Sequence, residues 1–524
     1  MDNTHGTSSK HRTNYLTLIR QTRFHPACRR SRHPSCLSNA RHIALQNSRL
    51  LNALTGGEMR NAMNDMPSDA AGATAQTPLH LSRDHVIHDS GRAWYVLVML
   101  TLAYSLAYID RQLLNLLVEP IKRSLVISDT QLSLVQGVAF IAAYLAASPL
   151  FGRLVDVTNR RNLLLVSICL WCAFTALCGN ADTYRGLFLA RLGVGASEAC
   201  VFPLALSMIA DCFSAKKMPR AMSIFILGPM LGGGLSLVAG GFVIEFARAF
   251  HEHFPILTQF QTWQLAFVII GLPGMLFALL VLLTVREPAR SSVMSAREDE
   301  RQFSTGASAS YLWQRRGFYA RILLGVGMLA IVVLGMPAWM PTYLIRTHGM
   351  PASLVGFRFG GLVVVFGIAG ALTGPWVARQ LEKRGYEDAP LRTAAISMIP
   401  MMLCCASIPF VPGTTGALAA AAGIVFFFSL PTGCMAAALQ LVAPSRMRGT
   451  VGAIYSFVAQ LVGFGAGPTL IALITDRVFQ NPKMVGHSIA IVCAIASAIA
   501  AWLLITALPH YRRLLAEERA AQVR

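Results

Sequence analysis

The chain has 524 residues, of which 54% are hydrophobic and only 13% are charged, and its mean hydropathy is +0.52. This composition excludes an ordinary soluble protein and is typical of a membrane protein. The formal net charge of +20 raises the question of nucleic-acid binding. No basic stripe is interleaved with aromatic residues on a soluble segment, so we expect no nucleic-acid partner.

The first 92 residues are polar, rich in Ser, Asn, His and Arg, and contain no apolar run long enough for a signal-peptide core. They are predicted to form a disordered, basic cytoplasmic leader. Met59, Met63 and Met66 lie just upstream of the first apolar stretch, so a second interpretation is that translation begins there and the leader over-extends the gene.

Twelve apolar stretches follow, and each is near the length of about 20 residues that a helix needs to cross a membrane. We expect spans at 93–119, 131–151, 162–180, 183–211, 220–246, 263–285, 317–344, 353–378, 391–411, 415–442, 448–476 and 486–508. The predicted fold is an all-α membrane protein with twelve transmembrane helices. The predicted domains are a six-helix half at 93–285, a charged linker at 286–316, a second six-helix half at 317–508 and a cytoplasmic tail at 509–524.

The basic residues sort by loop, which predicts the orientation of the chain. Alternate loops are rich in Arg and Lys, as in the NRR run that ends at Arg161, while the loops between them carry few, such as Arg185 and Arg346. Cytoplasmic loops are the ones enriched in Lys and Arg. We therefore expect both termini in the cytoplasm of a multi-pass protein of the plasma membrane, or of the inner membrane in a bacterium.

A repeat relates the two predicted halves. GRLVDVTNRR at 152–161 follows the second span, and GPWVARQLEKRG at 374–385 follows the eighth; KKMPRAMS at 216–223 and SRMRGTVGA at 445–453 match in the same order. Two pseudo-symmetric halves are the architecture of many secondary transporters, whose sites lie near the middle of the membrane.

Four charged residues interrupt the spans near that depth. With a rise of 1.5 Å per residue, Asp110 lies about 14 Å inside the end of the first span, whereas Arg191 and Glu198 lie about 12 Å and 22 Å into the fourth. Arg111 adjoins Asp110. Left unpaired, the four together would cost on the order of 10 kcal/mol in the membrane.

Two interpretations of these charges stay open. An ion pair between Asp110 and Arg191 would be structural, but it leaves Glu198 without an assigned cation in a desolvated position. A titrating carboxylate whose proton occupancy is linked to conformation is the functional interpretation, and we favour it because ionisable residues inside membranes mark transport paths. Arg111 points about 100° away from Asp110, so it faces substrate, extends to the interface or pairs elsewhere.

The loop GRLVDVTNRR resembles the signature of the major facilitator superfamily over about residues 93–508. Within the superfamily, the segments YIDRQ, LLVEPIKRSL, SDTQLSL, ARLGVGASEACVFPLALS and WMPTYLIRTHG resemble the Spinster group of lipid transporters and its bacterial relatives. Val157 and Asn159 stand where the superfamily loop usually has a basic residue and a Gly. The Spinster resemblance implies proton-linked switching at Asp110, Arg191 and Glu198.

The superfamily resemblance also implies two further elements. An inner gate would involve Gly152, Asp156, Arg160 and Arg161, with Asp156 held by the two arginines; topology signalling alone would explain the arginines but not Asp156. GPMLGG at 228–233 resembles an antiporter signature, in which Gly228, Pro229, Gly232 and Gly233 would let a helix bend or slide; ordinary tight packing is the alternative.

The predicted function is proton-coupled secondary active transport of a lipid-like or amphipathic organic anion by alternating access. Apolar and aromatic residues of spans seven and ten suit such a substrate, namely Trp339, Tyr343, Phe426 and Phe427, although they would equally suit lipid contact. The alternative is a proton-linked symporter of small carboxylates, as in the anion:cation symporters. A receptor or another membrane protein without transport activity is a remote alternative.

No enzyme is expected, because the sequence has no metal-ligand cluster, no catalytic Ser-His-Asp arrangement and no P-loop. No cofactor and no metal are expected, and the coupling ion would be a proton. Besides membrane lipids, the expected partner is a small-molecule or lipid substrate, and the expected state is a monomer.

Overall fold

The computed structural model describes residues 90–214, 217–253, 259–288, 305–444 and 447–523. These residues belong to one compact unit. Nearly all of the predicted leader at 1–92 and most of the predicted linker lie outside the described residues.

Twelve helices of the described part are long and apolar enough to span a membrane, which confirms the prediction. They are α1 Gly91–Leu116, α2 Asp129–Val157, α3 Arg160–Gly179, α4 Tyr184–Cys212, α5 Met218–His253, α6 Thr262–Thr284, α7 Arg316–His348, α8 Ala352–Lys383, α9 Ala389–Phe410, α10 Gly413–Leu441, α11 Arg448–Phe479 and α12 Val485–Val523. Their bounds agree with the predicted spans to within a few residues at most ends.

Local chemistry explains several of these bounds. The side chains of Ser90, Asn159 and Thr183 accept hydrogen bonds from backbone N–H groups at the starts of α1, α3 and α4, which otherwise lack partners there. Prolines such as Pro229 lie inside helices, since neighbouring helices and side chains can satisfy the backbone groups that proline frees in a membrane.

Two segments are more helical than the sequence analysis expected. The region predicted as a tail at 509–524 continues α12 without interruption through Pro509 to Val523. The predicted linker contains a helix at Thr305–Gln314 directly before α7. Both segments contain exposed polar residues, so they fell outside the apolar stretches from which the spans were predicted. Hydropathy indicates which residues lie inside the membrane, but it does not indicate how far a helix continues beyond it.

Corresponding helices of the two halves pack in corresponding pairs. In the first half α1 packs on α5, α2 on α4 and α3 on α6. In the second half α7 packs on α11, α8 on α10 and α9 on α12. This pairing confirms two pseudo-symmetric six-helix halves.

The halves meet along two equivalent seams, α5 against α8 and α2 against α11. We call the two ends of the bundle the Glu119 end, where α1 ends and α2 begins, and the Arg160 end, where α2 ends and α3 begins. Small residues let helices α5 and α8 approach each other closely toward the Glu119 end. A Cβ added to Gly360 would lie 2.7 Å from the carbonyl oxygen of Gly234, and one added to Gly241 would lie 2.7 Å from that of Ser353.

Substituting Gly360 should therefore open this seam. Gly360→Ala places a methyl group against the backbone of α5, whereas a Cβ on the neighbouring Gly361 has nothing within 4 Å. Overpacking of this kind costs about 1–3 kcal/mol, so we expect a longer distance between spin labels at Arg248 and Arg358 for Gly360→Ala. Gly361→Ala is the matched control, and an unchanged distance distribution in both variants would contradict the assignment of this seam.

Candidate functional site

The four charged residues singled out in the sequence lie buried inside the first half. The exposed fractions are 5% for Asp110, 8% for Arg111, 1% for Arg191 and 1% for Glu198. Asp110 and Arg111 come from α1, and Arg191 and Glu198 come from α4. A membrane interior does not tolerate four isolated charges, so the partners of each define the site.

Arg111 and Glu198 form a buried ion pair. The Nε and Nη2 atoms of Arg111 both donate to the same oxygen of Glu198, Oε2, with 2.9 Å from Nε. The other oxygen, Oε1, has no hydrogen-bond partner among the described residues. The carboxylate is therefore bound on one side only and keeps one acceptor unused.

Aromatic rings enclose the cation of this pair. The guanidinium carbon of Arg111 lies 4.2 Å from the ring centre of Phe140 and 4.6 Å from that of Tyr108, with Phe464 at 5.7 Å. Phe464 belongs to α11 of the second half. Cation–π contacts are stronger where water is excluded, and these contacts make the ion pair sensitive to the separation of the halves.

Asp110 and Arg191 do not form the hydrogen-bonded pair that the sequence analysis considered. Thr175 of α3 donates to Asp110 Oδ2, and Asp110 Oδ1 has no partner among the described residues. Arg191 interacts electrostatically with Asp110 and adjoins Cys178. None of its three guanidinium nitrogens has a hydrogen-bond partner in the described part of the chain.

The expectation that Glu198 lacks a cation is also wrong, and Arg111 is that cation. Depth along the membrane placed the four residues at similar heights, but it carried no information about which side of α1 faces α4. Arg111 reaches across to α4, whereas Asp110, its neighbour in sequence, turns toward α3. Of the roles left open for Arg111, pairing is the one observed.

α4 is interrupted directly after Glu198. The first segment ends at Glu198, Ala199 and Cys200 form a turn, and the helix resumes at Val201. Ser167 of α3 donates to the carbonyl oxygen of Ser197 at 2.6 Å, which satisfies a backbone acceptor at the interruption. Both turn residues keep right-handed helical dihedral angles, so the interruption is a local distortion of α4 rather than a break in the helix.

A cavity of about 380 Å³ lies between the halves, beside the ion pair. Its walls are mainly aromatic and aliphatic; the polar groups are phenols, hydroxyls and one amide. The residues around it include Tyr104, Tyr108, Phe202, Leu329, Val333, Tyr455, Gln460 and Phe464. A second cavity of about 190 Å³ shares Tyr108, Val333 and Leu334 with it.

This cavity extends from the ion pair toward the Arg160 end. Tyr104 precedes Arg111 by seven residues on α1, and Tyr455 precedes Phe464 by nine on α11. At a rise of 1.5 Å per residue, the cavity therefore extends about 10–13 Å from the level of the Arg111–Glu198 pair. The cavity lining differs from the residues that the sequence suggested.

Trp339 and Tyr343 are structural rather than cavity-lining. Trp339 is fully buried and donates to the carbonyl oxygen of Pro468 at 2.9 Å, and Tyr343 donates to that of Ile408 at 3.1 Å. Phe426 and Phe427 pack edge to face and lie outside both cavity linings. Tyr104, Phe202 and Tyr455 were not predicted, because each lies on an apolar helix with several aromatics and the sequence does not show which of them face the cavity.

An ionic network joins the halves at the Glu119 end. Arg346 of α7 donates to Glu119 at 2.5 Å and to both oxygens of Asp129 at 2.7 Å. Lys122 lies 2.5 Å from Asp129. We call Arg346, Glu119, Asp129 and Lys122 the Arg346 clamp. Nearby, Asp476 of α11 accepts from the backbone and hydroxyl of Thr130, both at 2.7 Å.

The predicted gate residues at the Arg160 end form contacts other than those expected. Arg160, 1% exposed, donates to Asp211 at 2.5 Å and to Glu287 at 2.7 Å, and Arg161 donates its backbone N–H to Glu287. The prediction that these two arginines hold Asp156 is wrong. They turn instead to the carboxylates beside the start of α3.

Asp156 itself lies half-buried in the last turn of α2. A Cβ added to Gly152, one turn before it, meets nothing within 4 Å. The face of α2 at Gly152 is therefore open, unlike the packed seams at the Glu119 end. Its role as a gate stays a prediction.

The small residues of α5 face two different surroundings, namely helix α1 and the smaller cavity. A Cβ added to Gly228 or Gly232 would lie 3.1 Å or 3.0 Å from the nearest atoms of α1, at Thr101 and Ser105. Gly233 has nothing within 4 Å, and together with Pro229 it lines the smaller cavity. Gly228 and Gly232 thus pack α5 on α1.

Comparison with known proteins places this architecture in a family. Residues 100–468 match the Major Facilitator Superfamily model. The chain is 25% identical over 441 residues to an MFS-type efflux pump of Mycolicibacterium smegmatis, covering 82% of this chain and 96% of the pump. It is 28% identical over 422 residues to the protein spinster homolog 1 of Xenopus laevis, covering 76% of each.

Among solved structures, the chain resembles a bacterial homolog of the human lysosomal transporter Spinster in an inward-facing, unoccupied conformation. The TM-score is 0.64 at 22% identity, with 81% of this chain and 97% of that one covered. The resemblance to the Spinster group that the sequence indicated is confirmed. The chain belongs to the Major Facilitator Superfamily.

Proposed function

We propose that this member of a transporter family couples proton movement to the transport of a lipid-like or amphipathic organic anion by alternating access. The observation that carries the proposal is the Arg111–Glu198 pair, which lies behind the wall of an apolar cavity between the halves. Tyr108 and Phe464 separate the pair from the cavity and contact both.

The proton would act on Glu198. In the observed arrangement the charges of Arg111 and Glu198 neutralise each other. Protonation of Glu198 removes the negative partner and leaves Arg111 as a buried cation, whose charge an organic anion in the cavity can compensate across the rings of Tyr108 and Phe464. Proton binding and anion binding would then favour the same state, which is a coupling free energy between two sites. The proposed mechanism uses the proton as its coupling ion and needs no cofactor.

The cavity favours an amphipathic substrate over a small carboxylate. Its aliphatic and aromatic walls suit an alkyl chain, since burying apolar surface is the main attraction that such walls offer. The phenols of Tyr104 and Tyr455 and the amide of Gln460 suit a polar head group. A small carboxylate would use Arg111 but little of this wall.

The orientation follows from the distribution of basic residues. We assign the Arg160 end to the cytoplasm, which places both termini there, and the protein to the plasma membrane as a monomer. The clamp at the Glu119 end and the cavity that extends toward the Arg160 end together support an inward-facing state. In the opposite state, the Gly152 face of α2 would close against the second half near Asp156.

A transport assay tests this proposal. Native protein is reconstituted into proteoliposomes that contain a pH dye and is challenged with a lysolipid set and with a set of small organic acids; protein-free liposomes are the control. We expect proton movement with the lysolipids. A response to the organic acids alone would support the symporter alternative, and no response to either set in active protein would refute proton coupling of both kinds.

A further inference from the structure

A basic pocket lies at the Arg160 end of the second half, far from the charged pair. Its volume is about 450 Å³, and it lies between the start of α7 and the last turns of α12. The charged and titratable residues around it are Arg315, Arg316, Arg321, His510, Arg513 and Glu517. Four guanidinium groups thus face one carboxylate.

The contacts of these arginines leave most of their charge uncompensated. Arg315 reaches Glu517 at 3.3 Å, and Arg321 donates to the carbonyl oxygen of Gly317 at 2.5 Å. Arg316 donates to the carbonyl oxygen of Trp313 at 3.3 Å. For Arg513, no acidic partner is found among the described side chains. Carbonyl groups satisfy donors but do not neutralise charge, so the pocket holds an excess of positive charge.

The start of α7 forms one wall of the pocket. α7 begins at Arg316, one residue after the helix Thr305–Gln314 ends, so the positive end of α7 and the negative end of that helix adjoin and largely cancel. The positive charge of the pocket therefore comes from its arginine side chains. His510 of α12 lies directly against this turn, since a Cβ on Gly317 would meet its ring at 2.5 Å.

The position of the pocket relative to the apolar belt indicates the source of the anion. Trp502 and Ile505 of α12 and Leu324 of α7 are 64%, 48% and 55% exposed, as expected for side chains that face lipid. Arg513 follows Ile505 by eight residues, or about 12 Å along the helix, and it follows Trp502 by eleven residues, which leaves it only about 20° from the direction of that side chain. The pocket therefore lies just beyond the hydrocarbon, at the depth of lipid phosphates.

An aromatic residue supports the same depth. Trp313, 70% exposed, lies beside the pocket with the guanidinium carbon of Arg316 5.3 Å from its ring centre. Exposed Trp residues are enriched at the membrane–water interface. Arg316, which contacts this ring, therefore lies at the depth of the lipid head groups.

We propose that this pocket binds a phosphate group, and that an anionic phospholipid of the adjoining leaflet supplies it. Clusters of basic residues between transmembrane helices on one membrane side bind the head groups of such lipids. The bound lipid would link α7 to α12 through Arg321 and Arg513. A soluble phosphate is the other source of the same chemistry.

Native mass spectrometry of delipidated full-length protein tests the proposal by titration with phosphatidylglycerol and with phosphatidylcholine. Two double variants are compared with the native protein. The first combines Arg321→Gln with Arg513→Gln, and the second combines Arg316→Gln with Arg513→Gln and so changes only exposed side chains. Each arginine removed should weaken phosphatidylglycerol binding about fivefold. Arg185→Gln removes an exposed arginine at the opposite end and should leave binding unchanged.

Competition with inorganic phosphate distinguishes the two sources of the phosphate group, an anionic phospholipid and a soluble phosphate. Inorganic phosphate that displaces phosphatidylglycerol at comparable concentration would assign the pocket to a soluble phosphate, and failure to displace it would assign the pocket to lipid. Phosphatidylglycerol bound no more tightly than phosphatidylcholine, or bound equally by native protein and both double variants, would overturn the proposal.

Discussion

Glu198→Gln is expected to abolish substrate-evoked proton movement in proteoliposomes. The amide keeps the shape of the carboxylate and can still accept from Arg111, but it cannot exchange a proton. Couplings between sites are commonly worth about 5- to 150-fold, so we expect proton flux to fall at least about fivefold, to the level of protein-free liposomes. The same pH dye and lysolipid set used for native protein provide the measurement.

Controls separate loss of coupling from loss of folding. Glu382→Gln makes the same chemical change on an exposed side chain of α8 and should transport like the native protein. Substrate exchange without a pH gradient should survive in Glu198→Gln, because exchange needs no net proton transfer. Proton flux at the native level in Glu198→Gln would show that the Arg111–Glu198 pair is structural.

The fold could be predicted from the sequence because its main determinant is local. Twenty apolar residues form a spanning helix wherever the chain enters a membrane, and a repeat at 152–161 and 374–385 reveals the duplicated half. The location of the buried charges followed from the same counting. Asp110, Arg111, Arg191 and Glu198 lie together because each interrupts a span near the same depth.

The pairing of those charges could not be predicted, because it depends on helix rotation. A shift of one residue changes direction by about 100°, and that angle decides whether Asp110 or Arg111 faces Glu198. The cavity presented the same difficulty. Tyr104 and Tyr455 are each one of several aromatics in their helices, and the sequence does not show which of these face the cavity, whereas the more conspicuous Trp339 proved to be packed inside the second half.

The clamp at the Glu119 end was hidden for a different reason. Glu119, Asp129 and Arg346 occupy three separate helix ends, where charges usually face water. Only the meeting of the halves brings them together and excludes solvent, leaving Arg346 with a 6% exposed side chain and Asp129 with none. A charge near a span boundary is therefore ambiguous in a transporter until the packing of its halves is known.

Arg346→Gln should shift the protein toward the state that is open at the Glu119 end. The substitution removes the contacts of Arg346 with Glu119 and Asp129 and leaves only Lys122 to compensate Asp129. Truncating one partner of a buried charge pair costs about 2–5 kcal/mol. Since these bonds exist only while this end is closed, we expect a shift toward the open state of at least about tenfold.

Distances between spin labels at Val126 and Lys483 measure this shift, because the two residues lie on opposite halves at the Glu119 end and are exposed. Arg123→Gln is the matched control: it removes an arginine 84% exposed that lies 4.0 Å from the same Glu119. An exposed pair at that distance contributes little, so its distances should stay native. Equal distance distributions in both variants would mean that the packed helix seams alone hold this end closed.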